Sequence, residues 1–247
     1  MALPVIHAAA ASVAAPVIEN VEVAIPLVGA QTMRLERYED QITRWPRTGR
    51  HVLAHHDDET IVVYQAYRPS IGRWAVEHGK LGGPDFSFSR MSWIKPNFLW
   101  MMYRSGWGTK EGQEVVLGLR IQRSFFDSLL RAAVASSFGA SGHTTSEEWQ
   151  ASLRRSPVRL QWDPDHDPSG RPVERRAIQL GLRADALVEL AGPALVEVID
   201  MSPMIAIQRE HLRSDRRDLL ELPREDVYVP PSDAASAVGL DAPPAVG

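Results

Sequence analysis

The chain has 247 residues, 44% hydrophobic and 23% charged, with a net charge of −4. This is globular composition, enough for one large or two small domains. The lack of cysteine excludes disulfides, thiolate metal sites and a Cys nucleophile. The slight negative charge excludes bulk attraction to nucleic acid, and no apolar run predicts a membrane span, so the chain is read as cytoplasmic.

Residues 1–33 hold Pro4, Pro16 and Pro26, the acids Glu19 and Glu22, and no Lys or Arg. A secretory signal needs a positive start and a compact apolar core, so residues 1–37 are read as a disordered leader or as the product of a start codon upstream of Met33. Thr60–Tyr67 is β-branched and aromatic, which predicts a buried strand. Ser70 caps a helix with Ile71, Trp74, Ala75 and His78 on one face, and Gly79 stops it. Gly82-Gly83-Pro84 is a turn, and the alternation Phe86-Ser87-Phe88-Ser89 predicts a short strand. Pro96 opens a helix to Ser105 that is apolar nearly all round, hence buried on several sides. Glu114–Ile121 alternates as a strand, and Ser124–Ser137 and Ser146–Leu153 are helical. Val158, Leu160 and Trp162 alternate, the segment from Asp163 to Gly170 turns the chain, and Ile178, Leu180 and Leu182 alternate on the return, so a hairpin is predicted. A helix over Ala184–Leu190, a strand over Ala194–Ile199 and a helix over Pro203–Arg213 follow. After residue 230 the composition is Pro, Ala and Ser, read as a disordered tail over 230–247. Residues 38–229 make a single α+β domain with a mixed, largely antiparallel sheet and helices packed around it.

Thr60–Arg131 carries ten basic against five acidic side chains and twelve of the eighteen aromatics. Positive grooves with stacking rings suit phosphates and bases. In the densest segment, Gly82–Trp107, Arg90 and Lys95 flank a helix start, where free N–H groups would hold an anion. Gln65 and Tyr67 share a strand face, and Arg68 ends that strand within reach of a phosphate. On the later strand Gln179, Gly181 and Arg183 share a face, with Gly181 allowing close approach. These polar groups lack local partners and fall on apolar elements. Burying an unpaired amide costs roughly 1–3 kcal/mol, so Gln65, Arg68, Arg90 and Gln179 are expected to line one pocket. Asp163-x-Asp165-His166-Asp167 offers hard ligands without calcium-loop spacing and is equally good turn chemistry; a metal-dependent hydrolase there is the third reading. No metal site is assigned. No Walker A loop, dinucleotide glycine fingerprint, zinc-type His pair or Ser elbow is present.

The segments VYQAYRP, GGPDFSFSRMSWIKPNFLWMMYRSGW, WDPDHDP and ERRAIQLGLR resemble the family called domain of unknown function 4291, over residues 38–229. More loosely, the order of strand, helix, segment, helix and strand through Thr60–Ile121 resembles ADP-ribosyltransferase-type folds, with Gln65 where those carry His or Arg. That resemblance implies a nucleotide-using enzyme acting on nucleic acid or a small molecule, with NAD as cofactor. Gln65, Tyr67 and Arg68 would then hold the dinucleotide, and Arg90, Ser92 and Lys95 its phosphate. Asp165 or Glu174 would supply the carboxylate for an oxocarbenium-like centre. The alternative is a non-enzymatic module for RNA or single-stranded DNA.

Overall fold

The computed structural model describes residues 33–242, so most of the leader expected over 1–37 and the last residues of the tail expected over 230–247 lie outside the described residues. The elements in chain order are β1 (Leu35–Arg37), α1 (Tyr38–Gln41), β2 (Val52–Ala54), β3 (Thr60–Tyr67), α2 (Pro69–His78), β4 (Ser92–Ile94), α3 (Phe98–Ser105) and β5 (Val115–Gln122). They continue with α4 (Arg123–Ala132), β6 (Ala133–Ala135), α5 (Ser146–Arg155), β7 (Val158–His166), β8 (Pro172–Leu182), α6 (Ala184–Ala191) and β9 (Leu195–Asp200). The last are α7 (Ser202–Arg213), β10 (Glu221–Pro223), β11 (Asp226–Tyr228) and α8 (Ser232–Val238). This is an α+β fold in which β6 and β7 run parallel and the other strand ladders are antiparallel.

Two sheets organise it. One has the order β3-β5-β9 and the other β4-β8-β7-β6, while β1–β10 and β2–β11 form two-stranded pairs. Alternation on β3 feeds two cores. Ile61 and Val63 join one apolar cluster with Leu117, Phe126 and Leu180; Val62 and Tyr64 join another with Phe98, Met102 and Ile205. A strand buried on both faces reads as a continuous apolar run, which is what Thr60–Tyr67 shows. Helix α2 lies directly on β5, because a Cβ at Gly72 would fall 2.5 Å from Val115 Cβ.

Several expectations change. The helix expected over Ser124–Ser137 ends at Ala132, and Ala133–Ala135 forms β6 beside β7. Phe86–Ser89 forms turns, and the strand of this region is β4, paired with β8 through Trp93↔Gly181. The domain does not begin at residue 38, since β1 already pairs with β10. Nor does it end at 229: the chain from 230 folds as α8, which buries Ala234 and Val238, and the Trp162 indole N–H donates to the Val238 carbonyl. Its small residues gave no strong helical period, yet they fit closely against α4, where Arg131 pairs with Asp233 at 2.6 Å.

Candidate functional site

The two sheets meet where β3 passes β4. Tyr64 N–H donates to the Lys95 carbonyl at 2.7 Å and Lys95 N–H to the Tyr64 carbonyl at 3.2 Å. That pairing is an isolated bridge. Beyond it β3 stays on β5 as far as Tyr67, and β4 stays on β8 as far as Ser92, so the strands part. Side chains replace the lost ladder. The Gln65 carboxamide donates to Ser92 Oγ at 2.8 Å and to the Trp93 carbonyl at 3.3 Å. Tyr67 Oη donates to Gln65 Oε1 and lies 3.1 Å from Ser92 Oγ. Burial pushes the Tyr67 phenol up to about 12, so it remains a donor.

A cleft of about 680 Å³ is lined by these parted segments. That is within the range of small-molecule sites. Its floor carries Gln65, Lys95 and, from the β7–β8 hairpin, Gln161 and Gln179, which face each other across the register. Asp163 accepts from Gln161 at 2.9 Å and from Gln179 at 2.7 Å. Aromatic surface comes from Phe86, Trp93 and Trp100, and positive charge from Arg68, Arg90 and Arg104. Arg68 approaches Asp85 at 3.5 Å. Gln113 accepts from Arg104. Arg90 is exposed, and its guanidinium has no partner among the described residues.

Glycines set the rim. Gly82 and Gly83 have φ of 153° and 93°, and a Cβ on Gly83 would fall 2.7 Å from the Trp74 ring. Only glycine satisfies both demands, and the turn so formed carries the segment from Asp85 to Arg90 along the cleft. At Gly181 a Cβ would meet Met91 Sδ at 2.7 Å and the Trp93 ring at 3.0 Å. The close approach expected there is made by these two side chains.

Lys95 is the most unusual group. It is 5% exposed, its Nζ donates to the Trp93 carbonyl at 3.1 Å, and it stands over the Trp100 ring at 5.1 Å. No carboxylate pairs with it among the described residues. Desolvation lowers its pKa to about 7, with Arg104 acting in the same sense and Asp163 opposing.

The structure therefore brings Gln65, Tyr67, Arg68, Arg90, Ser92, Lys95 and Gln179 around one cleft, including the four residues expected to share a pocket. The others go elsewhere. Arg183 donates to the carbonyls of Leu153, Arg154 and Ser156 at the end of α5, where a cation complements exposed C=O groups. Glu174 is exposed on the early part of β8 and does not line the cleft. Asp165 is fully buried and gripped by Nε and Nη2 of Arg175, so it too is no cleft carboxylate. Strict alternation would have placed it beside Asp163, but the register shifts between Pro164 and His166. The start of α3 is filled from within: Asn97 Oδ1 accepts from Trp100 N–H, and the buried Glu225 carboxyl accepts from Phe98 N–H at 2.7 Å. An external anion does not fit there, so Lys95 and Arg90 serve the cleft instead.

The acids of the 163–167 segment also diverge. Asp167 accepts from Ser169 and Arg171 within its turn, and among the described residues no group of three or more His, Asp or Glu could hold a metal ion. Sequence reading missed the cleft roles of Trp100, Gln113, Gln161 and Asp163. Alternation on β7, which sets Gln161 and Asp163 opposite Leu160 and Trp162, was the available signal for the last two.

The sequence from residue 51 to residue 228 matches the model of a family described as a domain of unknown function, DUF4291. The chain belongs to this family. All the cleft-lining residues of the DUF4291 chain fall inside that span, whereas β1 and α8 fall outside it. No curated protein matches the chain.

Proposed function

We propose that the cleft binds a nucleotide and that the protein uses it in a transfer reaction of the ADP-ribosyltransferase kind, with NAD as the candidate dinucleotide. The observation that carries this reading is the cation set. Among the described residues three guanidiniums line the cleft, Asp85 is its only lining acid, and Arg90 is partnerless. Such a set calls for an anion, and guanidinium forks match phosphate. Phe86, Trp93 and Trp100 offer ring faces for a base or a nicotinamide. Gln161 and Gln179 offer polar contacts for hydroxyls, with the Asp163 charge behind them in place of Asp165 and Glu174.

The test is calorimetric titration with NAD, ADP-ribose, AMP and a short oligonucleotide, on the native protein and on Arg68→Ala/Arg90→Ala. Each charge-assisted bond contributes roughly 1.5–3 kcal/mol, so the double variant should lose on the order of a hundred-fold in affinity or more. Its melting temperature should not move, because both side chains are exposed. Nicotinamide release from NAD selects the transferase. Oligonucleotide binding without turnover selects the nucleic-acid module, and no binding that depends on Arg68 and Arg90 defeats the cleft as a phosphate site.

A further inference from the structure

Lys95 has a place in the cleft that phosphate binding does not explain. An ammonium placed for phosphate is normally hydrated or paired, and it keeps its charge. Here the amine lies on the floor, below the guanidiniums, with one backbone carbonyl and one indole ring as its contacts. The carboxamides that line the same cleft from β3, β7 and β8, those of Gln65, Gln161 and Gln179, can neither take nor give a proton at ordinary pH. The charged groups that act on it are Arg104 from α3 and Asp163 from β7, and the Asp163 oxygens are already engaged by two amides. Arg68 and Arg90 stand at the rim. A lysine desolvated beside another cation is the standard arrangement for an amine that reacts as the free base.

We propose that Lys95 is a nucleophilic amine that forms an imine with a phosphorylated carbonyl compound, such as the open-chain aldehyde of a sugar phosphate or of a nucleotide sugar. This deepens the nucleotide reading and rests on it for the phosphate contacts. In the step, the Lys95 Nζ lone pair attacks the carbonyl carbon and forms an N–C bond. The carbonyl oxygen takes up a proton to give a carbinolamine. That oxygen then leaves as water, carrying in total the two protons of the neutral amine, and a C=N bond remains. No oxidant, reductant or metal is required. The amine titrates near neutrality because burial lowers its pKa to about 7, so much of it is free base at pH 7. The cation–π contact with Trp100 and the carbonyl of Trp93 fix its position.

The sequence makes the test clean, because Lys80, Lys95 and Lys110 are its only lysines and the other two are exposed. The native full-length protein is mixed at neutral pH with pyridoxal 5′-phosphate, which joins an aldehyde, a phosphate and a planar ring. The imine is reduced with borohydride, and the adduct is located by peptide mass spectrometry. Pyridoxal, lacking the phosphate, is run in parallel. Lys95 should label at least ten-fold faster than Lys80 and Lys110, and the phosphate should be needed for most of that advantage. Lys95→Arg should keep the fold, judged by circular dichroism, and lose the fast adduct; should it not fold, the rate comparison within the native protein decides alone. Labelling of Lys95 no faster than of the exposed lysines, with either aldehyde, overturns the proposal and leaves nucleotide binding untouched. Fast labelling by both aldehydes alike upholds the amine and counts against the phosphate reading of the rim.

Discussion

At the residue scale, Lys95 shows how burial without a partner costs stability and creates reactivity at once. Its folded pKa of about 7 lies below its ordinary value of 10.5. Below pH 7 the side chain is charged in both states, and the folded state bears the full cost of holding that charge out of water. Between the two values the unfolded chain binds the proton and the folded chain does not, so stability rises with pH. Lys95→Met removes this term. The variant should therefore be more stable than the native protein at low pH, by an amount that shrinks by roughly 2–3 kcal/mol between about pH 6 and pH 9. Urea unfolding at the two pH values measures it, and a pH-independent gap would show that the amine stays charged throughout. Asp165 illustrates the opposite solution. Burial raises its carboxyl pKa, against the pull of Arg175, and the pair is further tied down by the Pro46 carbonyl and the Trp45 ring. This is a structural ion pair with nothing left to offer a ligand.

At the element scale, periodicity explains what the sequence discloses. The strands β3 and β5, the helices α2, α3 and α7 and the β7–β8 hairpin all carry their own apolar period, and each forms close to where that period predicts. The three-residue strands β1, β2, β10 and β11 have no local signal, because each exists only through a partner far away in sequence, as Leu35 does through Pro223. The same contrast runs through the cleft. Gln65 and Gln179 stand out as polar groups on apolar strands. Asp165 misleads because a bulge changes its face, and Arg183 because β8 ends at Leu182, one residue before it. Helix α8 is the element least visible in composition, and its contribution can be measured. A chain ending at Pro230 would lose the buried Ala234 and Val238 and would leave the Trp162 indole N–H without its carbonyl. Val burial and the loss of one part-buried hydrogen bond together amount to roughly 2–4 kcal/mol. Urea melts of the shortened chain should show a loss of that size, and an unchanged midpoint would reduce α8 to a surface decoration.

At the scale of the whole molecule, the uneven charge becomes an assembly. The basic stretch supplies β3, the rim loop and α3, with Arg68, Arg90 and Arg104. The later part of the chain supplies the β7–β8 hairpin, with Gln161 and Gln179 held by Asp163. These parts belong to two sheets that join by one backbone bridge at Tyr64 and Lys95, and the cleft lies where they separate. A ligand there would contact both sheets and add to the links that the bridge and the Gln65 and Tyr67 side chains already make between them. Binding to the native state alone stabilises it by RT ln(1 + [L]/Kd), about 2.7 kcal/mol at a hundred-fold excess over Kd. Because the link falls at the split, the protection should be local as well as global. Native-state hydrogen exchange should slow at Ala66, Tyr67, Ser92 and Trp93 when a phosphorylated ring compound is added, beyond the slowing seen in the central strand β5. The second hollow, of about 320 Å³ between His51, Tyr228 and Leu240, provides the contrast. Protection concentrated there, with the four amides of the split unchanged, would move the ligand to that hollow and leave the parted strands as a feature of the fold alone.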